Sequence, residues 1–429
     1  MNWPKSFVKT ILTFHFQSSK LREVSTNNNK KHSFDYLIIG AGIIGLTIAR
    51  ELNKRFPHQK IAVLEKESDV AFHSSGRNSG VLHAGFYYTA DTLKAKLTSE
   101  GNKLLREYCI TNKLKINECQ KVVIAQSEEE IDTIFELERR GIANGVDVKV
   151  IDQKQLKQLD PNVITKQYAL FSPNTATVDP IEVNQAIKNE LKNNGVALFF
   201  GEGYKRRIDG NTIMTLKNNI FEAEKIINCA GLYADKIAND FGYSTDYTII
   251  PFKGIYLKYK GDQKPVSINV YPVPNLKNPF LGVHYTVTVD GHVKIGPTSI
   301  PAFWRENYNG LEGFKFTELA NILGWEAKLF YKNSFKFRDL AFDEIKKYNK
   351  RYFIDLASKM VNKLDRKGFA EWGKPGIRAQ LLNKKTNELV MDFKVEGDEK
   401  SIHVLNAVSP AFTCSFPFAK YVVENYIIN

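Results

Sequence analysis

Gly40, Gly42 and Gly45 stand in the stretch "IIGAGIIGLTIA", and an acid, Glu65, follows twenty residues after the last of them. The spacing is GxGxxG. A short apolar run, Phe34 to Ile39, precedes it and suits a buried strand; a helical pattern from Gly42 to Phe56 follows and stops before Pro57. In such a unit the first glycine permits a tight turn, the second lets backbone approach a pyrophosphate, and the third lets helix and strand pack closely. The helix N-terminus adds free N–H groups and the positive end of its dipole. Ile61 to Leu64 reads as the second strand. Glu65 at its end can accept from a ribose 2′-hydroxyl, which disfavours a 2′-phosphate. The βαβ pattern predicts a dinucleotide site, with Lys66 beside Glu65 among its contacts.

The stretch "HSSGRNSGVLHAGFYY", His73 to Tyr88, comes where a nicotinamide dehydrogenase would continue with another βα unit. Its small residues suit an extended segment lying along a flat ring system. Ser74, Ser75, Asn78 and Ser79 can donate to a diphosphate or to ring edges, and Arg77 can neutralise phosphate charge. Gly76 and Gly80 admit close backbone approach. This favours a flavin dinucleotide, FAD, over NAD.

Further elements must position these groups. Helices are expected over Asp91–Cys109, Ser127–Asn144 and Pro180–Asn193, and strands at Lys121–Ala125, "VALFF" and "AEKIINCAG". From Thr248 to Ile295 alternating, turn-punctuated strands predict an antiparallel sheet, and Phe314 to Lys363 is mostly helical. The fold class is therefore α/β: a discontinuous, Rossmann-like cofactor domain (34–92, 148–245 and 366–429) with an inserted, mainly antiparallel substrate domain (93–147 and 246–365).

Composition narrows the function classes. The chain has 429 residues, 43% of them hydrophobic, a formal net charge of +13 and four scattered cysteines. No CxxC or His/Cys cluster predicts a metal site or a disulfide framework. The positive charge favours an acidic substrate, a phosphate-bearing cofactor or peripheral contact with an anionic membrane. No basic block interleaved with aromatics predicts nucleic acid. Residues 1–33 contain one acid, Glu23, with lysines and many Ser, Thr and Asn. Trp3, Phe7, Ile11 and Phe14 fall near helical spacing, so the segment reads as a mitochondrial transit peptide.

The stretches "FDYLIIGAGIIGLTIARELNK", "LEKE" and "HSSGRNSGVLHAGFYY" resemble the FAD-dependent D-amino-acid-oxidase-like superfamily. "AGFYY" after "NSGVLH", "YPVPNLKNPFLGVHYT" and "GIRAQ" are similar to its L-2-hydroxyglutarate dehydrogenase/oxidase family in particular. The resemblance runs from Phe34 to the C-terminal helix. It implies oxidation of L-2-hydroxyglutarate, a small dicarboxylate, to 2-oxoglutarate with reduction of FAD. The electron acceptor stays open between oxygen, a membrane quinone and an electron-transfer protein. Lys253 in "PFKG" and the aromatic "VSPAFTCSFPF" depart from the family pattern and bear on substrate contacts.

Such an oxidation moves a hydride from C2 to flavin N5, takes the C2 hydroxyl proton to a base, and needs cations at the carboxylates. Of the eight histidines, His83 and His284 lie in the two most informative segments. Either serves as base or hydroxyl partner. His73 is expected at the diphosphate loop and His403 in a core strand. Arg378 in "GIRAQ" matches by position an arginine that binds the substrate carboxylate in amine-oxidising relatives; Lys253 is the candidate for the second carboxylate. Tyr87 and Tyr285 are candidate pocket hydroxyls, with core packing as the alternative. Ala230 and Gly231 in "INCAGLYAD" leave backbone open to the cofactor. Ser409 and Ala411 in "NAVSPAFT" are expected to open the C-terminal helix beside the flavin. Alternatives are an oxidising enzyme for glycine, sarcosine or glycerol 3-phosphate, and a flavin-binding scaffold without turnover.

Overall fold

The computed structural model describes residues 30–274 and 280–428. The expected transit segment and the "NLKNP" part of one family stretch lie outside the described residues, apart from the segment's last few.

The βαβ unit forms as its sequence dictates. The strand Lys31–Ile39 pairs in parallel with Ile61–Glu65 on one side and Ile220–Asn228 on the other. Leu37, Ile38 and Ile39 are buried on both sheet faces, as a parallel sheet covered by helices requires. The strand starts earlier than expected: residues 31–33 pair with 220–222, and His32 stacks on Phe221 at 4.8 Å. The sheet has eight strands and continues in parallel to Ala197–Phe200 and, through Ile220–Asn228, to Ser401–Asn406. The helix Ile43–Arg55 lies between the sheet, the helix Pro180–Asn193 and the terminal helix Ser415–Val422.

A second eight-stranded sheet carries the substrate half. It runs Phe369–Trp372, Leu257–Tyr259, Val293–Gly296, His284–Val287, Asn269–Pro272, Lys121–Ile124, Tyr168–Ser172, Lys149–Asp152. All neighbours are antiparallel except Asn269–Pro272 with Lys121–Ile124. Four elements sit differently from the expected division. The strands Tyr168–Ser172 and Lys149–Asp152 belong to this sheet because the first pairs with Lys121–Ile124 and the second with the first. Phe369–Trp372 joins its other edge through Leu257–Tyr259. The helix Leu93–Thr111, expected in the substrate half, packs Leu97, Leu105, Tyr108 and Cys109 into the core around the Ile43 helix; those positions form one apolar helical stripe.

A small third sheet bridges the halves. In it Tyr247–Gly254 pairs antiparallel with Gly376–Asn383 along eight residues, with Ile300–Pro301 on its other edge. Among the described residues no helix is long and apolar enough to cross a membrane.

Candidate active site

One large cavity of about 960 Å³ lies among the sheets. One end is walled by the glycine turn, Glu65, Lys66, the 72–79 segment and Ala230–Gly231; the other by His83, Tyr256, Tyr271, His284 and Arg378. Residues 407–413 border it as well.

At the glycine end the packing explains the residue types. A Cβ on Gly45 would fall 2.0 Å from the Gly40 carbonyl oxygen, and one on Gly40, whose φ is +106°, would fall 2.6 Å from that of Cys229. Neither position tolerates a side chain. The Ile43 helix starts on Gly42 with no cap from its own residues. Instead the Ser75 hydroxyl, thirty-two residues on, accepts from Ile43 N–H at 2.8 Å, which leaves the Ser75 O–H free to donate. The Glu65 carboxylate accepts from Ala41 N–H at 2.9 Å and from Glu67 N–H at 3.0 Å, so it is fixed between the turn and the strand end.

The loop residues are mostly occupied in shaping the loop. Ser74 donates to the Ile377 carbonyl at 2.7 Å, and Asn78 bonds to Ser74 and Ser75 carbonyls and to Gly80 N–H. The Ser79 hydroxyl accepts from Val81 N–H at 3.3 Å. Arg77 differs from its expected role at phosphate. It donates to the Phe72 and Pro375 carbonyls and lies 4.2 Å over the Tyr308 ring, so it pins the loop to the bridging sheet. Lys66 borders the cavity but pairs with Glu67 and, at 2.7 Å, with Glu306. Burial pulls the Lys66 pKa down, and the two carboxylates outweigh it and raise it. His73 joins this cluster, 2.8 Å from Glu67 and 2.8 Å from the Tyr308 hydroxyl.

The C-terminal segment also departs from expectation. Residues 409–414 form turns, and the helix begins only at Ser415. Ser409 and Ala411 border the cavity without opening a helix. The Thr413 hydroxyl donates to the Val81 carbonyl and accepts from His83 N–H, both at 3.2 Å, and so holds the His83 backbone.

At the other end His284 is buried, His83 and Arg378 are half-buried, and each keeps ring or guanidinium nitrogens free. His284 Nδ1 lies 2.8 Å from the Gly282 carbonyl. A carbonyl only accepts, so Nδ1 carries the proton and Nε2 is the free base. The imidazole stacks on Tyr271 with centroids 3.7 Å apart. Burial, with Lys121, Arg378 and Lys294 nearby, lowers the His284 pKa to about 3 despite the carbonyl contact. Among the described residues neither ring nitrogen of His83 has a hydrogen-bond partner; burial, then Lys121 and His284, push its pKa well down. Both imidazoles are therefore neutral near pH 7. Arg378 donates to Ser299 Oγ at 2.7 Å and to the Thr298 carbonyl at 3.1 Å through one nitrogen, so the guanidinium keeps further donors for an anion.

Three expected pocket residues lie elsewhere. Lys253 pairs across the bridging sheet with Ile377 while Phe252 pairs with Arg378, so Lys253 leaves the opposite face from Arg378 and does not border the cavity. Tyr285 is fully buried in the hydrophobic core of the substrate sheet and donates to the Ala357 carbonyl at 3.1 Å. Tyr87 packs beside Phe86, and its buried hydroxyl has no partner among the described residues. Sequence reasoning missed Tyr256, Tyr271, Lys121 and Lys294. A lysine embedded in an apolar strand, as in "QKVVIA" and "GHVKIGP", was the available signal.

The family model described as FAD dependent oxidoreductase matches residues 35–425. The L-2-hydroxyglutarate dehydrogenase of Indibacter alkaliphilus is 36% identical, over 91% of this chain and 98% of its own. The mitochondrial L-2-hydroxyglutarate dehydrogenase of Nematostella vectensis is 34% identical, over 91% and 90%. The chain belongs to the L-2-hydroxyglutarate dehydrogenase family of FAD-dependent oxidoreductases. FAD is its cofactor. The uncapped helix start, the fixed Glu65 carboxylate and the free Ser75 O–H suit the group. The solved L-alpha-glycerophosphate oxidase of Mycoplasma pneumoniae shares the fold, with a TM-score of 0.72 at 21% identity, over 92% of this chain and 94% of that one.

Proposed function

We propose that this enzyme oxidises L-2-hydroxyglutarate to 2-oxoglutarate and passes the electrons to a carrier rather than to oxygen. The observation that carries the reading is one cavity holding a dinucleotide turn at one end and two neutral histidines with Arg378 at the other. The relatives' names support the substrate and the dehydrogenase chemistry. Bound FAD supplies the hydride acceptor. The glycine turn, Glu65 and Ser75 hold it, and Ala230, Gly231 and residues 407–413 supply the neighbouring wall. Arg378 binds a substrate carboxylate and orients C2. The His83/His284 pair receives the C2 hydroxyl proton, His284 at Nε2. Tyr256 and Tyr271 shield the site from water.

We place the enzyme in the mitochondrion, on the acid-poor start of the chain and the mitochondrial relative. Peripheral contact with an anionic membrane fits the region 303–348, where Phe303, Leu311, Phe316 and Tyr331 are exposed among Lys332, Lys336, Arg338 and Lys346. Incubation with L- or D-2-hydroxyglutarate and a quinone or artificial dye tests the reading. Dye-dependent 2-oxoglutarate from the L form is expected; oxygen consumption at an equal rate without dye removes the carrier, and no 2-oxoglutarate removes the substrate.

A further inference from the structure

Lys121 opens its strand fully buried, and its ammonium has no hydrogen-bond partner among the described residues. Three rings enclose it: Nζ lies 4.4 Å from the Tyr271 centroid and 5.4 Å from those of Phe86 and Tyr87. The Asn269–Pro272 strand runs between the Lys121 strand and the His284 strand. Lys121 pairs with Asn269, so Tyr271, two residues on, shares its face. On its other side the Tyr271 ring stacks on His284 at 3.7 Å. Three adjacent strands thus present a lateral stack of ammonium, phenol ring and imidazole. A buried, unpaired ammonium is costly, and an apolar side chain would fill the same space without that cost.

We propose that Lys121 is a positioning residue for the oxidation: held against Tyr271, its ammonium sets the orientation and the protonation state of the His83/His284 pair. The inference rests on the reading of that pair as the proton acceptor. The surroundings give the sign. His284 is faced by Lys121, by Arg378 from the bridging sheet, by Lys294 from the next strand, by neutral His83 and by the Tyr271 phenol. Cys119 is the thiol near Lys121, and burial raises its pKa, so it stays neutral. Every charge around the pair is positive. Burial brings the Lys121 pKa to about 7, so the ammonium is present through the acid range in which the histidines titrate. Removing it raises their midpoints.

The test uses holoenzyme in two measurements. NMR follows the imidazole Cε1–H signals of His83 and His284, assigned with single glutamine variants, against pH. Anaerobic flavin bleaching by L-2-hydroxyglutarate is followed over the same range. In Lys121→Met both the histidine midpoints and the acid limb of the bleaching rate are expected to move up by about one pH unit. Lys121→Arg, which keeps the charge, is expected to leave the limb in place. Midpoints and limb unmoved in Lys121→Met, whatever the rate, overturn the proposal. If that variant does not fold, the wild-type His284 signal decides: a secondary shift step with its midpoint near 7 supports the coupling, and its absence overturns it. Failure of wild-type enzyme to bleach overturns the substrate reading alone, because the NMR titration still reads Lys121.

Discussion

At the Gly40 end of the cavity nearly every polar side chain already holds something: Glu65 the Ala41 N–H, Ser74 the Ile377 carbonyl, Asn78 its own loop, Arg77 two carbonyls and a ring. At the His284 end the reverse is true. The His83 ring and, behind the Tyr271 wall, Lys121 Nζ have no hydrogen-bond partner among the described residues, and His284 uses one nitrogen of two. Unpaired buried polar groups cost stability. Where such groups line a cavity and have shifted pKa values, they mark candidate reacting groups. On the proposed function, the saturated end positions and the unsaturated end reacts.

Substitutions at the two ends separate these roles. The largest effect belongs to Gly45→Ala, whose Cβ would meet backbone at 2.0 Å. The turn must open, and purified protein is expected to carry no FAD by absorbance near 450 nm. At the other end the double variant His83→Ala/His284→Ala is expected to keep FAD and lose about 10²–10⁴ in the anaerobic bleaching rate; unchanged turnover would remove the pair from the mechanism. Arg378→Met should cost about 2–5 kcal/mol in kcat/KM, mostly through KM, measured by steady-state kinetics with saturating dye.

Smaller effects sharpen the contrast. The folded His284 pKa of about 3 lies below its ordinary 6.5. Between those values the unfolded chain binds a proton that the native site refuses, so stability falls as pH drops through that window. The thermal midpoint of His284→Gln should therefore fall less steeply from pH 7 to 5 than that of wild type. Smallest is Tyr285→Phe, which removes one hydroxyl bonded to the Ala357 carbonyl: about 1 kcal/mol of stability, by denaturant unfolding, with kinetics unchanged.

The contrast also explains which parts were legible in the sequence. The glycine turn, its helix and Glu65 were readable because their chemistry is local: a turn, a helix start and an acid lie within twenty-six residues. His83, His284 and Arg378 were singled out from their segments, and the structure brings all three to one cavity. Side-chain direction was not legible. Lys253 and Tyr285 each lie beside a cavity residue in sequence, and a strand turns successive residues to opposite faces. Arg77 has the right charge, but Tyr308, which it covers, is 231 residues away. The division of Lys149–Ser172 and Leu93–Thr111 between the halves depended on long-range pairing and packing that periodicity does not carry. Lys121 was passed over because a lysine at the head of an apolar strand normally marks a solvated edge.

On the proposed function, L-2-hydroxyglutarate is oxidised at the unsaturated end. Anaerobic bleaching of the purified holoenzyme tests it directly, with L-2-hydroxyglutarate, its D enantiomer, glycine and glycerol 3-phosphate each added in turn. Bleaching by the L form alone is expected. Bleaching by another of the four, or by none, would contradict it.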